Sequence, residues 1–493
     1  MGYLAGIDLG TTSTKVLIMD AAGSVLGKGS AAYDLLIPQM AYAEQDPAQW
    51  WEAVKAALQG AAAAAGINPG EIEGISFSGQ MHGLVALGAD KKPVCNAIIH
   101  LDQRSASVLE ELREAAGTLM SQELLNRPSA GMMISTLYWM KKNQPQLLER
   151  IRYVMAPKDY IRFLFCGEIG TEVSDAAASL GFSVKNRCWC TELFSRLGLP
   201  QEIFPPVSES CEIAGTVTAE TSRETGLSQD TKVVYGAGDS LAALTGIGVV
   251  EPGAMACNIG TASQLVVVAD KPVYDPQMRI QTWCHTVPGR WAVQSGTLNG
   301  GSTLNWFRNQ ILRSSAPFSV LDEEAYRIPA GSEGLLFLPY LAGERTPWDN
   351  PCAKGVYFGL SMKHTQAHLV RATMEGVIFN LKECLGILDE MKAERTVLLA
   401  SGGAARGRTW KQIQADMLGM PVHTTKVEEE ACQGAAILAA TGIGLYPDIP
   451  TACKSIVVMS GEVVEPLTEN MKMYEERQGA FHELYESVKH MMK

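Results

Sequence analysis

No window of this 493-residue chain approaches the ~20 consecutive apolar residues that a membrane-spanning helix needs. Lys and Arg, 41 against 53 Asp and Glu, form no dense cluster. With a net charge of −12, that argues against a nucleic-acid or anionic-membrane partner. Cysteine occurs eleven times, an odd count without a paired pattern, which fits reduced thiols in a cytosolic protein better than a disulfide framework. Only Cys188 and Cys190 lie close together, and a lone C-x-C pair supplies half the ligands that structural zinc wants. The N-terminus enters a strand without a charged region and long apolar stretch, so no secretory signal is read. After Gly2, Gly6 stands where a myristoylation signal needs Ser or Thr. There is no serine elbow and no cluster with metal-ligand spacing. The expectation left by these exclusions is a cytoplasmic protein whose partner is a small molecule.

What is present is a repeated turn. Asp8-Leu-Gly-Thr-Thr-Ser-Thr-Lys15 and the shorter Asn258-Ile-Gly-Thr-Ala-Ser263 each lie between runs rich in β-branched and aliphatic residues. Each reads as the tight turn of a β-hairpin with Gly and hydroxyl side chains outward. Gly10 and Gly260 are expected to take backbone angles closed to other residues, letting a phosphate approach the main-chain amides. Thr11, Thr12, Thr261 and Ser263 add hydroxyl donors, and Asp8 has the carboxylate to hold a hydrated Mg²⁺. Either motif alone is ordinary in a β-rich protein; two, one per half, predict a nucleotide held between related domains. Lys15 does not complete the G-x-x-x-x-G-K-[ST] spacing, so the first turn is not a P-loop.

The length allows two to four domains. Residues 3–8, 14–19 and 24–33 predict a three-stranded meander. Asp46-Pro47-Ala48-Gln49 then predicts a helix start, with Gln49 completing a capping box, and Trp50, Trp51, Val54 and Leu58 carry the helical spacing to Gly66. Ile72 to Phe77 reads as a buried strand that delivers Gln80, Met81 and His82 in the following loop, where α/β sheets present ligand-binding side chains. Residues from about 100 to 225 read as a mostly helical insertion. Lys232 to Tyr235 is another strand, running into Gly236-Ala-Gly-Asp-Ser-Leu-Ala-Ala243, a Gly-rich turn that opens a small-residue helix. At 253 the N-terminal pattern restarts. The expected division is a domain over 1–248, a second over 249–445, and a helical tail over 446–493, with Tyr474, Phe481, Tyr485 and Val488 on one face of the tail. The small residues of 430–440 predict a helix that something approaches very closely.

Asp239 is the candidate base: it ends a strand between Gly238 and the small-residue helix, and a phosphoryl acceptor needs only a positioned carboxylate to take its proton. An isolated Gly-Asp-Ser would read as a helix cap; a place between two phosphate turns favours chemistry. Gly402 and Gly403, after the strand at 397, would let a flat adenine lie on the backbone. Asp102 and Arg104 would orient a polyhydroxylated ligand or form a surface ion pair.

Taken together these segments resemble the FGGY carbohydrate kinases over about residues 3–445. Gly355-Val-Tyr-Phe-Gly-Leu360, then seven residues, then His368-Leu-Val-Arg-Ala-Thr-Met-Glu375 fits that family's C-terminal signature at every specified position. Pro339-Tyr-Leu-Ala-Gly-Glu-Arg-Thr-Pro347 is also similar, whereas the N-terminal signature departs at Thr136, where the family's usual residue is Lys. The resemblance implies two ribonuclease-H-like domains of the actin and hexokinase type (α/β) closing on ATP and a sugar. It implies Asp239 as base and Asp8 as the Mg²⁺-associated carboxylate. Thr11, Thr12, Lys15, Gly260 and Thr261 would bind phosphate, and Gly402 and Gly403 adenosine. Gln80-Met81-His82-Gly83 looks like the xylulokinase subgroup, with Asp102 and Arg104 also on the sugar, and His100 departs from that subgroup's usual Trp. The implied reaction is phosphorylation of a ketopentose, D-xylulose, with other polyols, ketoses or sugar acids, or a non-catalytic actin-fold ATP-binding protein, as rivals. Homodimers are frequent in such families.

Overall fold

The computed structural model describes residues 2–493. Two seven-stranded sheets organise the chain. The first contains β1 (Tyr3–Leu9), β2 (Ser13–Asp20), β3 (Val25–Ala32), β4 (Ile72–Gly79), β5 (Ile213–Thr216), β6 (Lys232–Val234) and β7 (Ala237–Gly238). Its order is β5-β6-β4-β1-β2-β3, with β7 also on β4. The meander is antiparallel, but β4 runs parallel to β1, and β6 and β7 run parallel to β4. Covered on both faces, β4 is buried at all but one position, as a central parallel strand must be.

The second sheet contains β8 (Ala254–Ile259), β9 (Ser263–Ala269), β10 (Gln281–Cys284), β11 (Trp291–Thr297), β12 (Val397–Ser401), β13 (Val422–Thr425) and β14 (Met459–Val464). Its order is β10-β11-β9-β8-β12-β13-β14. Again an antiparallel meander joins parallel strands at its first member, β8 to β12. The repeat predicted from two short turns therefore extends to the whole sheet. Because β14 pairs with β13, the segment expected to be a helical tail also completes this sheet.

Helix α1 (Pro47–Ala65) begins as predicted: Asp46 caps it by accepting from Ala48 N at 2.9 Å, and Gly66 ends it in the left-handed conformation at φ 68°. The capping box does not form, because Gln49 Oε1 accepts instead from Asp34 N at 3.2 Å, tying the helix to the end of β3. Helix α2 (Asp239–Gly246) follows β7. Helix α3 (Gln366–Glu390) and α4 (Arg408–Leu418) cover the second sheet.

The small residues of α5 (Glu430–Gly442) serve close packing. A Cβ placed on Gly434 would lie 1.8 Å from Ala242 O, one on Gly246 1.9 Å from Glu430 O, and one on Gly6 1.9 Å from Cys432 O. Backbone meets backbone, so a helix from the second half lies directly on β1 and α2 of the first. The last helix, α6 (Thr468–Val488), buries Tyr474, Phe481, Leu484 and Tyr485, with Val488 partly buried beside them.

Candidate active site

The two hairpin turns are built alike. Gly10 N donates to Ser13 O at 3.1 Å and Gly260 N to Ala262 O at 3.0 Å. Neither glycine takes a left-handed φ, contrary to expectation. What the missing Cβ provides is room: at Gly260 nothing lies closer than Asn258 Oδ1 at 3.7 Å. Since the glycine amides are used inside the turns, the outward donors are the amides and hydroxyls of Thr11, Thr12 and Thr261, which make no backbone–backbone hydrogen bond through N among the described residues.

Behind each turn the preceding polar residue is held by a serine on the parallel neighbour. Ser78 Oγ donates to Asp8 Oδ1 at 2.8 Å, and Asn258 Nδ2 donates to Ser401 Oγ at 2.7 Å. These pairs face each other in register, Asp8 with Ser78 and Asn258 with Ser401. In each case glycine follows the serine. Burial raises the Asp8 carboxyl above its ordinary range, against the hydrogen bond from Ser78.

The first turn is braced by Gln45 and Tyr33, which the sequence reading missed, together with Gln80. Gln45 Nε2 donates to Thr11 O at 2.7 Å, and Gln80 Nε2 donates to Gln45 Oε1 at 2.8 Å. Tyr33 Oη donates to Gly10 O. Gln80 is fully buried, and its Oε1 has no partner. Asp102 and Arg104 are not a surface pair. Both are buried, with Arg104 Nε 2.9 Å from Asp102 Oδ1 and Arg104 Nη2 2.6 Å from Glu44. Asp102 Oδ2 also accepts from Ala43 N at 2.7 Å. The pair thus braces segment 43–45, which carries Gln45. Lys15 projects from β2 and pairs with Glu429 at 2.7 Å, at the N-terminus of α5.

Asp239 is the first residue of α2 rather than its cap, a place held by Gly238. Its Oδ1 accepts from Ser240 N at 2.7 Å, and Oδ2 is uncommitted. Burial and the facing charge of Asp8 push the carboxyl up to about 7. Met81 packs under this segment: a Cβ on Gly238 would lie 2.5 Å from Met81 Cγ. His82, at φ 73°, has Nδ1 2.8 Å from Ala178 O. A carbonyl only accepts, so Nδ1 carries the proton and Nε2 is free to accept from a ligand. Burial lowers His82 to about 4, leaving the ring neutral at pH 7. Its charge neighbours are His100 and Arg345.

The opposite wall comes from the second half. Trp283 lies against His82, and its Nε1 donates to Gln294 Oε1 at 3.1 Å. Ser240 Oγ approaches the same Oε1 at 3.5 Å. Gly402, at φ 74°, could not carry a side chain, since a Cβ would lie 2.7 Å from Ile259 O. A cavity of about 590 Å³ opens beside it, lined by Gly260, Gly301, Phe318, Gly403, Arg408 and Trp410 among others. Its apolar walls and the adjoining turn suit a flat base ending in phosphates. No three His, Cys, Asp or Glu residues gather as a metal site among the described residues. Asp8, with one oxygen free of hydrogen bonds and a charge raised in energy by burial, fits Mg²⁺, which takes one or two carboxylates and completes its shell with water and phosphate.

The profile for the FGGY family of carbohydrate kinases, N-terminal domain, matches residues 3–246, and that for its C-terminal domain matches residues 255–443. A xylulose kinase from Lactococcus lactis subsp. lactis is 33% identical over 490 residues, covering 99% of this chain and 97% of that protein. A gluconokinase from Bacillus subtilis is 31% identical over 457 residues, covering 90% of this chain and 87% of that one. The crystal structure of a xylulose kinase from Brucella ovis superposes with a TM-score of 0.92 at 31% identity, covering 99% of this chain and 100% of that one.

Proposed function

The chain belongs to the FGGY family of carbohydrate kinases, and we propose that it transfers the γ-phosphoryl group of ATP to O5 of D-xylulose. The observation that carries this reading is Asp239. One of its carboxylate oxygens is free of hydrogen bonds, the charge of Asp8 acts on it, and Met81, next in the chain to the neutral His82, packs against the preceding Gly238. A base poised near neutrality takes the proton of a primary hydroxyl as its oxygen attacks phosphorus. In this reading Thr11, Thr12 and Lys15 on one turn and Gly260 and Thr261 on the other hold the β- and γ-phosphates. The adenosine lies over Gly402 and Gly403 in the cavity beside them. Asp8 would hold Mg²⁺, which supplies neutralisation of charge on the phosphate oxygens. His82 Nε2 accepts from a sugar hydroxyl, while Gln80, Met81, Asp102 and Arg104 keep the loop and the first turn in place. Closure of the two walls excludes water, without which phosphate would be lost to hydrolysis.

The similarity to a gluconokinase, nearly as strong as that to xylulose kinases, keeps a sugar acid as the second reading. A coupled ADP-release assay over pentuloses, hexuloses, polyols and aldonates separates them. The highest kcat/KM is expected for D-xylulose. A preference for gluconate would select the second reading, and silence on all sugars with nucleotide still bound would overturn both.

A further inference from the structure

We infer that Arg345 is a catalytic residue of this kinase, a guanidinium on the second wall of the cleft that receives the oxyanion of the phosphoryl group as it passes to the sugar. The inference rests on the kinase reading above. Arg345 is exposed, and its side chain makes one hydrogen bond, from Nε to Gly296 O at 3.0 Å. The nearby carboxylates are committed elsewhere. Glu344, next in the chain, accepts from Leu298 N, Arg345 N, Asn299 Nδ2 and Asn380 Nδ2 at 2.7 to 3.2 Å. Asp349 is gripped at both oxygens by Arg127, at 2.6 and 2.8 Å. Among the described residues the fold therefore leaves this fork of N–H donors without an ion-pair partner, and its planar geometry matches an incoming phosphoryl anion.

The position of that fork fits the reacting phosphoryl. A Cβ at Gly296 would lie 2.3 Å from Arg345 Nη2, so the guanidinium lies flat on β11 because residue 296 has no side chain. Gly296 and Gln294 share one face of β11, as residues two apart on a strand do. Gln294 meets Ser240, beside Asp239, and Trp283, beside His82. On the other side, Gly296 is paired with Gln264, and Thr297 Oγ1 lies 2.8 Å from Ser263 Oγ at the end of the second phosphate turn. Arg345 thus stands between the sugar's reactive end and the phosphate turn. During transfer the bond from the γ-phosphorus to the β–γ bridging oxygen breaks, the bond to the sugar oxygen forms, and the hydroxyl proton passes to Asp239. The equatorial oxygens carry the spread charge that the fork meets.

Arg345→Gln is expected to lower kcat by about 100- to 1,000-fold, the scale of a lost transition-state donor, with KM for both substrates within about threefold. Arg345→Lys should recover part of that loss. Gly296→Ala, which displaces the guanidinium while keeping it, should reproduce most of it. Binding of ADP with aluminium fluoride and D-xylulose should weaken in Arg345→Gln by a similar factor, while affinity for ADP alone, which also reports folding, stays within about twofold. Unchanged kcat, a loss confined to sugar KM, or a loss seen only with aldonates would overturn the assignment. The last would mean that the guanidinium serves a substrate carboxylate. Wild-type inactivity on every sugar would defeat the kinase reading instead.

Discussion

The imidazole of His82 lies against the indole of Trp283, with ring centroids 5.6 Å apart and an interplanar angle of 57°, so the loop after β4 touches the second sheet across the cleft. A neutral ring with its Nδ1 proton tied to Ala178 O has one remaining role, acceptance at Nε2. His82→Ala is expected to raise KM for the sugar about tenfold or more while KM for ATP changes less than twofold. Steady-state kinetics with each substrate varied separately check this. An equal effect on both would make the loop structural.

Lys15 distinguishes pairing from phosphate binding. Its contact with Glu429 is partly exposed at both ends, and such pairs contribute about 0–1 kcal/mol. Lys15→Ala should therefore lower kcat/KM for ATP by about tenfold or more, whereas Glu429→Gln should leave it within about threefold. Equal losses in both variants would show that the lysine's role is to tie the first hairpin to α5.

The family signature helix performs structural work. Glu375 Oε1 accepts from Arg371 Nε at 2.8 Å and from Tyr474 Oη at 2.7 Å, and Phe481 stacks on Phe379 at 5.2 Å. The last helix is thereby bound to α3 by a buried polar pair and an aromatic stack. Phe481→Ala should destabilise the protein by about 3–5 kcal/mol, readable as a lowered urea midpoint, with KM values unchanged in the folded fraction. Undiminished stability would mean that α6 is not part of the second core.

Asp239 also predicts a pH signature. Its carboxyl is held at about 7 against an ordinary 3.8, so between those values the folded protein binds a proton that the unfolded chain has released. Ionisation of Asp239 therefore costs stability as pH rises from about 4 to about 7, and the cost is constant above that. Asp239→Asn should melt higher than wild type at pH 8, and the gap should close as pH falls toward 4. In wild type, kcat/KM for the sugar should fall below about pH 7 with unit slope. A flat gap in melting temperature would place the shift elsewhere.

The twin hairpins were legible in the sequence because a turn and its flanking alternation are local. The place of Asp239 at the end of a strand and the start of a helix was legible because the Gly-rich turn before it is local too. Other parts depend on which distant strands pair. Ser78 reaches Asp8 only because β4 lies parallel to β1, although Phe77-Ser-Gly79 and Ala400-Ser-Gly402 repeat the same Ser-Gly ending and could have signalled it. Gln45, Trp283 and Gln294 carried no motif; the second sheet brings Trp283 and Gln294 to the cleft, and segment 43–45 brings Gln45 to the first turn. Asp102 and Arg104 keep sugar-site spacing in the sequence, and their bonds to each other, to Ala43 N and to Glu44 become visible only in the folded chain. Gln49 had the right spacing for a capping box, but in the folded chain its Oε1 accepts from Asp34 N.

In the proposed reaction the uncommitted oxygen of Asp239 takes the sugar's proton. Single-turnover phosphoryl transfer by Asp239→Asn, measured beside nucleotide affinity, tests it most directly. A rate lower by several orders of magnitude is expected, with ATP affinity within about twofold of wild type; transfer at a near wild-type rate would show that Asp239 is not the base.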